Sequence, residues 1–249
     1  MAKKSGNSGV GSSLVRLFHL IGALQFGFSV YYDYMYVHIP DGLRGDTPRL
    51  STSNYGGKFK YLTFIDAILQ ALYYTVALLN DFVGSNEVAP KPFPFIRKVK
   101  DYFLAAFAWP IACNVAITFW SIYAVDRELI FPKVLDSFFP DWLNHVMHTN
   151  ILIFIVIEMC VSFRQYPTRK NGYLGLSLFM AVYLVWIHVI YYNSGIWVYP
   201  VLEVLALPLR ICFFAGVFAF SLFLYRIGEF FNDLIWVKEL KSLKAKKAH

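Results

Sequence analysis

Two short segments contain the side chains with the clearest potential for chemistry. Segment 58–64, KFKYLTF, places the hydroxyl of Thr63 at the start of a long apolar run, and segment 144–148, NHVMH, places the imidazole of His148 at the start of another. A threonine hydroxyl is a weak nucleophile until a neighbouring base takes its proton, and imidazole is the commonest such base. The pair therefore suggests a Thr–His catalytic dyad at the edge of a membrane, provided that the fold brings the two runs into contact.

Each of these residues also has a purely structural interpretation. A threonine in the first turns of a membrane helix usually returns its hydroxyl to the carbonyl one turn earlier, here that of Phe59. A histidine near the end of a span is more often an interhelical hydrogen-bonding residue than a base. Asp66 shares a helical face with Thr63, and Glu158 lies deeper in the run of His148, so both are candidate buried partners. Local sequence alone leaves the catalytic and structural interpretations open.

Other catalytic signatures are absent from the sequence. It contains no G-x-S-x-G, HExxH, G-x-G-x-x-G or P-loop motif, which argues against a serine hydrolase of the α/β type, a zinc protease and a nucleotide-binding enzyme. The histidines lack metal-ligand spacing, and the cysteines lack CxxC spacing. We therefore predict neither a metal site nor a bound cofactor.

The composition is that of a membrane protein. Of the 249 residues, 57% are apolar, 19% are aromatic and only 16% are charged, and the mean hydropathy is +0.49. A soluble domain usually carries about 25% charged residues. The net charge of +7 is distributed over short segments between apolar runs. This pattern indicates positive-inside topology and contact with anionic lipid rather than nucleic-acid binding.

Six apolar runs each approach the roughly 20 residues that cross the hydrocarbon core of a bilayer. The predicted spans are residues 14–37, 61–84, 103–125, 143–163, 173–193 and 208–232. They predict an all-α membrane protein, a six-helix bundle that forms one catalytic domain over residues 14–236. A disordered polar head, residues 1–13, precedes it, and a basic tail, residues 237–249, follows. The distribution of Lys and Arg predicts that both termini are cytosolic, although loop 38–60 is an exception to the charge rule.

This topology places Thr63 and His148 on the same side of the membrane. Spans two and four both enter from the outer side, and both residues are expected roughly 5–10 Å below that interface. Two irregular segments, 131–141 and 195–200, are predicted to cover the mouth of the bundle there, the first as a short interfacial helix. Similar depth favours contact, but the sequence does not show that spans two and four are neighbours.

Four blocks of the sequence resemble the androgen-induced protein family, which also includes the androgen-dependent regulator of tissue factor pathway inhibitor. They are residues 55–64 (YGGKFKYLTF), 123–130 (YAVDRELI), 142–149 (WLNHVMHT) and 195–200 (GIWVYP). The resemblance covers roughly residues 14–236. It implies a six-span membrane hydrolase that cleaves fatty acid esters of hydroxy fatty acids. The family pattern assigns Thr63 as the nucleophile and His148, rather than His145, as its base.

Two other functions remain open on the residues themselves. A non-catalytic lipid-binding or regulatory membrane protein would use the polar side chains only to fix helix packing. A small transporter would use Asp66, His148 and Glu158 as a proton relay. The last four residues, KKAH, resemble a di-lysine retrieval signal. They predict residence in the endoplasmic reticulum, with the plasma membrane as the alternative.

Overall fold

The structure, a computed structural model, describes residues 9–39 and 55–247. Six of its helices are long and apolar enough to cross a membrane. They are α1, Gly9–Tyr36; α2, Leu62–Val83; α3, Phe95–Val125; α4, Asp141–Val161; α5, Arg169–Ser194; and α6, Leu207–Ile235. The prediction of an all-α six-helix membrane bundle is confirmed for the described residues, while the cytosolic location of the termini stays a prediction.

The two ends of the chain are more helical than the sequence suggested. Helix α1 begins at Gly9, so residues 9–13 of the predicted disordered head are helical, whereas residues 1–8 lie outside the described residues. The basic tail forms a further helix, Val237–Lys247. The polar residues 9–13 therefore extend α1, and the basic residues of the tail form a separate helix after α6.

Helix α3 begins at Phe95, eight residues before the predicted start of the third span. The charges of Arg97 and Asp101 indicated a loop, but the two side chains pair one turn apart, with Arg97 Nε 2.8 Å from Asp101 Oδ1. Arg97 also donates to the main-chain oxygens of Ser85 and Phe163, each at 2.6 Å. Because these charges are paired and hydrogen-bonded, they can be buried inside a helix.

A buried polar cluster holds the end of the bundle at which α1 begins. His19 of α1 lies between two carboxylates, with Nδ1 2.6 Å from Asp81 Oδ2 of α2 and Nε2 2.9 Å from Glu158 Oε2 of α4. Tyr73 donates to the other oxygen of Glu158 at 2.6 Å. These contacts tie α1, α2 and α4 together and so constrain where α2 and α4 meet at the opposite end.

Helix α3 lies at the centre of the bundle and contacts α2, α4, α5 and α6. Its inner surface is rich in alanine, and Ala105, Ala108, Ala112 and Ala116 are almost completely buried. Small residues let membrane helices approach closely. Around this centre, α2 contacts residues 146–150 of α4, so spans two and four are neighbours.

Candidate active site

The structure brings together the hydroxyl and the imidazole that the sequence paired. Thr63 Oγ1 lies 3.2 Å from His148 Nε2, within the reach expected of a nucleophile and its base. The carbonyl of Phe59, which would hold the threonine hydroxyl in a purely structural role, instead accepts from Trp186 Nε1 at 2.9 Å. The hydroxyl of Thr63 is therefore directed at the imidazole rather than at the preceding turn.

A main-chain carbonyl sets the tautomer of His148. His148 Nδ1 lies 3.0 Å from the carbonyl oxygen of Asn144. Because a carbonyl can only accept, Nδ1 carries the proton and Nε2 of the neutral ring is an acceptor. Asp66, the alternative orienting group, accepts from Gln70 Nε2 at 2.9 Å instead. The ring is thus oriented to receive the hydroxyl proton of Thr63 without an acidic third residue.

A local irregularity of α4 surrounds His148. Residues Val146–Asn150 form a π-helical turn, in which the N–H of Ile151 bonds to the carbonyl of Val146 five residues earlier. Such turns are rare and frequently occur at functional sites. The extra residue in the turn shifts the helical face, so that His148 meets α2 while Ile151 and Ile155 stay in the apolar core.

Aromatic side chains of α3 fix the imidazole of His148, which is 5% exposed. Phe119 stacks on the ring with 3.5 Å between centroids and 15° between planes, and Trp120 Nε1 donates to the carbonyl of His148 at 3.2 Å. His145 is exposed, and its Nδ1 lies 3.1 Å from Thr149 Oγ1 of the next turn. The two histidines therefore have different environments, and only His148 faces the threonine of α2.

Two tyrosine hydroxyls cap the helix that carries Thr63. The N–H of Leu62 lies 3.0 Å from Tyr183 Oη and 2.9 Å from Tyr199 Oη. Tyr183 donates to the carbonyl of Lys60 at 3.0 Å, so Tyr199 is the donor in the 3.0 Å contact between the two hydroxyls. The residue before α2 supplies no side-chain cap of its own. The tyrosines thus satisfy one of the first-turn N–H groups and fix the turn that holds Thr63.

Sequence reasoning missed three of these supporting residues. Tyr183 and Phe119 lie within apolar runs that contain many other aromatic side chains, and nothing in their spacing distinguishes them. Tyr199 belongs to segment 195–200, which was predicted to cover the bundle but not to contact α2. The signal that could have identified Tyr199 is its position in one of the four blocks of the family resemblance.

The acidic residues of the possible proton relay are engaged elsewhere. Glu158 is bound by His19 and Tyr73 at the far end of the bundle, and Asp66 is bound by Gln70. Within the described residues, no hydrogen bond joins either carboxylate to His148. Among the described side chains, Asp66, His148 and Glu158 therefore form no direct hydrogen-bonded chain of the kind that a proton relay would use.

Two largely apolar cavities meet at Thr63. The first, cavity A, is lined by Leu62, Asn114, Met180, Tyr183, Phe213 and Val217, among others. The second, cavity B, is lined by Asp33, Lys58, Leu135, Phe139 and His148, among others. Thr63, Phe119, Ile130 and Tyr199 line both. Thr63 thus lies between two largely apolar cavities.

The two irregular segments predicted to cover the bundle do line these cavities. Segment 131–141 is not a single interfacial helix, because its helical part is the short 3₁₀ turn Lys133–Ser137, which follows another, Arg127–Leu129. An ion pair ties the two turns together, with Arg127 Nη2 2.5 Å from Asp136 Oδ1. The prolines that bound the segment prevent a longer helix from forming.

One cation lies in the wall of cavity B. Lys58 pairs with Asp33, donating both to its carboxylate and to its main-chain oxygen. Burial lowers the pKa of Lys58, and the charge of Asp33 opposes that shift. Burial raises the pKa of Tyr61 and of Tyr199, so both hydroxyls in this wall are neutral.

Comparison with known proteins agrees with this architecture. The chain is 39% identical to the androgen-induced gene 1 protein of Homo sapiens over 203 residues, which covers 79% of this chain and 85% of the relative. It is 37% identical to the androgen-dependent TFPI-regulating protein of Mesocricetus auratus over 205 residues, or 81% and 87% of the two chains. A membrane protein of Schizosaccharomyces pombe is 25% identical over 174 residues, or 69% and 74%. No solved structure matches significantly.

The profile of the FAR-17a/AIG1-like proteins matches residues 14–233, which include all six long helices except their outermost residues. The match contains both Thr63 and His148, the cavities between them and the tyrosines that cap α2. On the extent of this match and the identity to the human relative, the chain is a multi-pass membrane protein that belongs to the FAR-17a/AIG1-like family.

Proposed function

We propose that this protein is a membrane-embedded carboxylic ester hydrolase that cleaves fatty acid esters of hydroxy fatty acids. Thr63 is the nucleophile and His148 is its base. The observation that carries the proposal is the 3.2 Å contact between Thr63 Oγ1 and the unprotonated Nε2 of His148. The contact lies where two apolar cavities meet, as an ester with two long chains requires. The family resemblance of the residues around Thr63 and His148 supports the same roles.

The first half of the reaction is acyl transfer to the protein. His148 Nε2 takes the hydroxyl proton as Thr63 Oγ1 attacks the ester carbonyl, and a tetrahedral oxyanion forms. The bond to the alcohol oxygen then breaks, and the imidazolium returns its proton to that oxygen, so the hydroxy fatty acid leaves and an acyl-threonine remains. The N–H groups of Thr63 and Phe64, which find no acceptor among the described residues, are candidate donors to the oxyanion.

The second half of the reaction restores the threonine. His148 Nε2 takes a proton from a water molecule, which attacks the acyl carbon. The bond from that carbon to Thr63 Oγ1 breaks, and the proton held by the imidazole returns to the threonine oxygen. The products are a free fatty acid and the unmodified protein, and water is the only co-reactant.

Activity-based labelling of hydroxyl nucleophiles, combined with turnover of a fatty acid ester of a hydroxy fatty acid, tests the proposal. We expect Thr63→Ala and His148→Ala each to abolish labelling and to lower turnover by at least about 1,000-fold. Two matched controls should retain both signals. Thr75→Ala removes a threonine of the same helix whose hydroxyl returns to the carbonyl of Ala71, and His145→Ala removes the exposed neighbouring histidine.

The competing function is a non-catalytic lipid-binding or regulatory membrane protein. It predicts that Thr63→Ala and His148→Ala bind lipid and the probe as wild type does, and that none of the three proteins turns over the ester. Ester turnover that survives in both variants would equally contradict the dyad. Purified protein in detergent and in vesicles distinguishes these outcomes from the activity of a contaminant.

We also infer residence in the endoplasmic reticulum from the C-terminal sequence KKAH, which resembles a di-lysine retrieval signal. Replacing both lysines of this sequence with serine should shift a tagged protein towards the plasma membrane. A location unchanged by the replacement would contradict the signal and leave the tail as a contact for anionic lipid.

A further inference from the structure

The two cavities differ in charge. The lining of cavity B contains the ion-paired side chains of Asp33 and Lys58, whereas none of the described residues that line cavity A is charged. Two polar side chains of cavity A are hydrogen-bonded within the bundle, because Thr118 Oγ1 donates to Asn114 Oδ1 at 3.3 Å and Asn114 Nδ2 donates to Ser221 Oγ at 2.9 Å. Cavity A therefore suits an unfunctionalised hydrocarbon chain, and cavity B offers a charged contact.

The cavities also differ in depth. Asp33 lies one turn from the end of α1 at Tyr36, so the charged part of cavity B is close to the membrane surface. Asn114 lies about 16 Å along α3 from its end at Val125, at 1.5 Å per residue. Cavity A thus extends towards the middle of the bilayer, where an alkyl chain is most favourable and a charge is most costly.

The position of the general acid distinguishes the cavities independently. His148 lines cavity B but not cavity A, while Thr63 lines both. The imidazolium must protonate the oxygen of the departing alcohol, so the alcohol part of the ester has to lie on the His148 side. The chemistry of the leaving group and the location of charge therefore select the same cavity.

Lys58 retains a donor for an anionic group. An ammonium has three N–H donors, and Asp33 accepts two of them. The third finds no acceptor among the described residues. Lys58 is only 8% exposed, and the charge-assisted hydrogen bond of a buried ammonium to a carboxylate is stronger than one made in water.

We propose that the ester binds in one orientation, with its acyl chain in cavity A and its alcohol arm in cavity B, where Lys58 binds a carboxylate carried by that arm. This inference rests on the proposed function and assigns Lys58 as a specificity-determining residue. It restricts the preferred substrates to esters whose alcohol part is itself a fatty acid with a free carboxylate. A neutral alcohol arm of the same length would lack the contact with Lys58.

The test compares two esters that differ only at the carboxylate, the free acid of a fatty acid ester of a hydroxy fatty acid and its methyl ester. We expect wild type to prefer the free acid by roughly tenfold or more in kcat/KM, mainly through KM. In Lys58→Met this preference should fall to about one, and in Lys58→Arg it should largely persist. Because the preference is a ratio measured on one preparation, partial misfolding of a variant does not change it.

Lys60→Met is the matched control for this measurement. Lys60 lies two residues away and is buried, but its ammonium lies over the ring of Tyr61, 5.2 Å from the centroid, and it lines neither cavity. Its variant should keep the wild-type preference. An equal preference in wild type and Lys58→Met, with both esters hydrolysed, would overturn the role of Lys58 alone. Failure of wild type to hydrolyse either ester would overturn the proposed function and, with it, this inference.

Two matched substitutions test the orientation separately from Lys58. Phe213→Trp narrows cavity A, and Phe139→Trp narrows cavity B, both at partly buried phenylalanines. With a series of esters, Phe213→Trp should shorten the acyl chain that is tolerated, and Phe139→Trp should shorten the tolerated hydroxy acid. The reverse assignment, or equal effects on both chains in both variants, would overturn the proposed orientation.

Discussion

Replacing the hydroxyls of Tyr183 and Tyr199 tests whether they position Thr63. Both hydroxyls lie within hydrogen-bond distance of the Leu62 N–H, at 3.0 and 2.9 Å, so each can replace the other when one is lost. A hydrogen bond contributes about 1 kcal/mol net to stability. We therefore expect Tyr183→Phe and Tyr199→Phe each to lower the free energy of unfolding by about 1 kcal/mol and to leave kcat within a few-fold of wild type.

The double variant should be worse than the sum of the two. It leaves the buried N–H of Leu62 without either acceptor, and an unsatisfied buried donor costs about 1–3 kcal/mol. The loss of stability should therefore exceed the sum of the single losses by roughly 1 kcal/mol or more. The first turn of α2 is then free to move, and a displacement of Thr63 by about 1 Å would lower kcat by roughly 100-fold.

Unfolding in detergent and kcat per folded molecule measure the two effects. Tyr74→Phe is the matched control, since Tyr74 is also buried and lies on α2, but its hydroxyl has no partner among the described residues. This control should lose neither stability nor activity. Strictly additive losses in the double variant of Tyr183 and Tyr199, with a wild-type kcat, would refute the positioning role.

Three further variants or conditions probe other parts of the molecule. Phe119→Leu removes the ring stacked on His148 and should lower kcat by roughly 10-fold or more, whereas an unchanged kcat would show that the stack is dispensable. Glu158→Gln removes the negative charge that faces His19 in the buried polar cluster and should lower the free energy of unfolding by about 3–5 kcal/mol. The folded fraction should keep its ester turnover, and loss of turnover without loss of stability would instead support the proton relay. As the pH rises, the preference for the free acid should disappear at a pH below the ordinary pKa of lysine, because burial lowers the pKa of Lys58 and the charge of Asp33 only opposes that shift. A preference that persists at a pH above the ordinary pKa of lysine would contradict Lys58 as the donor.

The parts of the fold that depend on hydrophobic length could be predicted from sequence. A bilayer imposes about 20 apolar residues on every crossing, so all six spans were found near their observed positions. The pairing of Thr63 with His148 also followed, because charge topology fixed their side and depth and the family resemblance selected them. Contact between α2 and α4 could not be predicted, since it depends on how both pack around the alanines of α3.

The remaining errors share a physical cause, which is that polar groups can be buried when a distant partner satisfies them. Arg97 and Asp101 suggested a loop even though their i,i+4 spacing fits a helix, because the distant main-chain oxygen of Phe163 that helps to satisfy Arg97 is invisible in a linear sequence. Tyr183 gave no signal because its partner, the start of α2, lies 121 residues away. The two cavities are likewise formed by the packing of distant segments, so no local sequence pattern predicts them.

The two ends of the bundle are stabilised by different kinds of interaction, and this difference has a functional consequence. Buried charges, including the pairs of His19 with Asp81 and Glu158, hold one end, and breaking such pairs is costly. The end that carries Thr63 and His148 also contains a buried ion pair, Lys58 with Asp33, but the groups around the dyad itself are held by neutral hydrogen bonds and ring stacking, which cost about 1 kcal/mol each to remove. Under the proposed function, an ester with two long chains enters between helices at that end, and the weaker contacts around the dyad favour such entry while the charged end preserves the bundle. Substitutions around Thr63 should therefore reduce activity well before they unfold the protein, and substitutions around Glu158 should do the opposite.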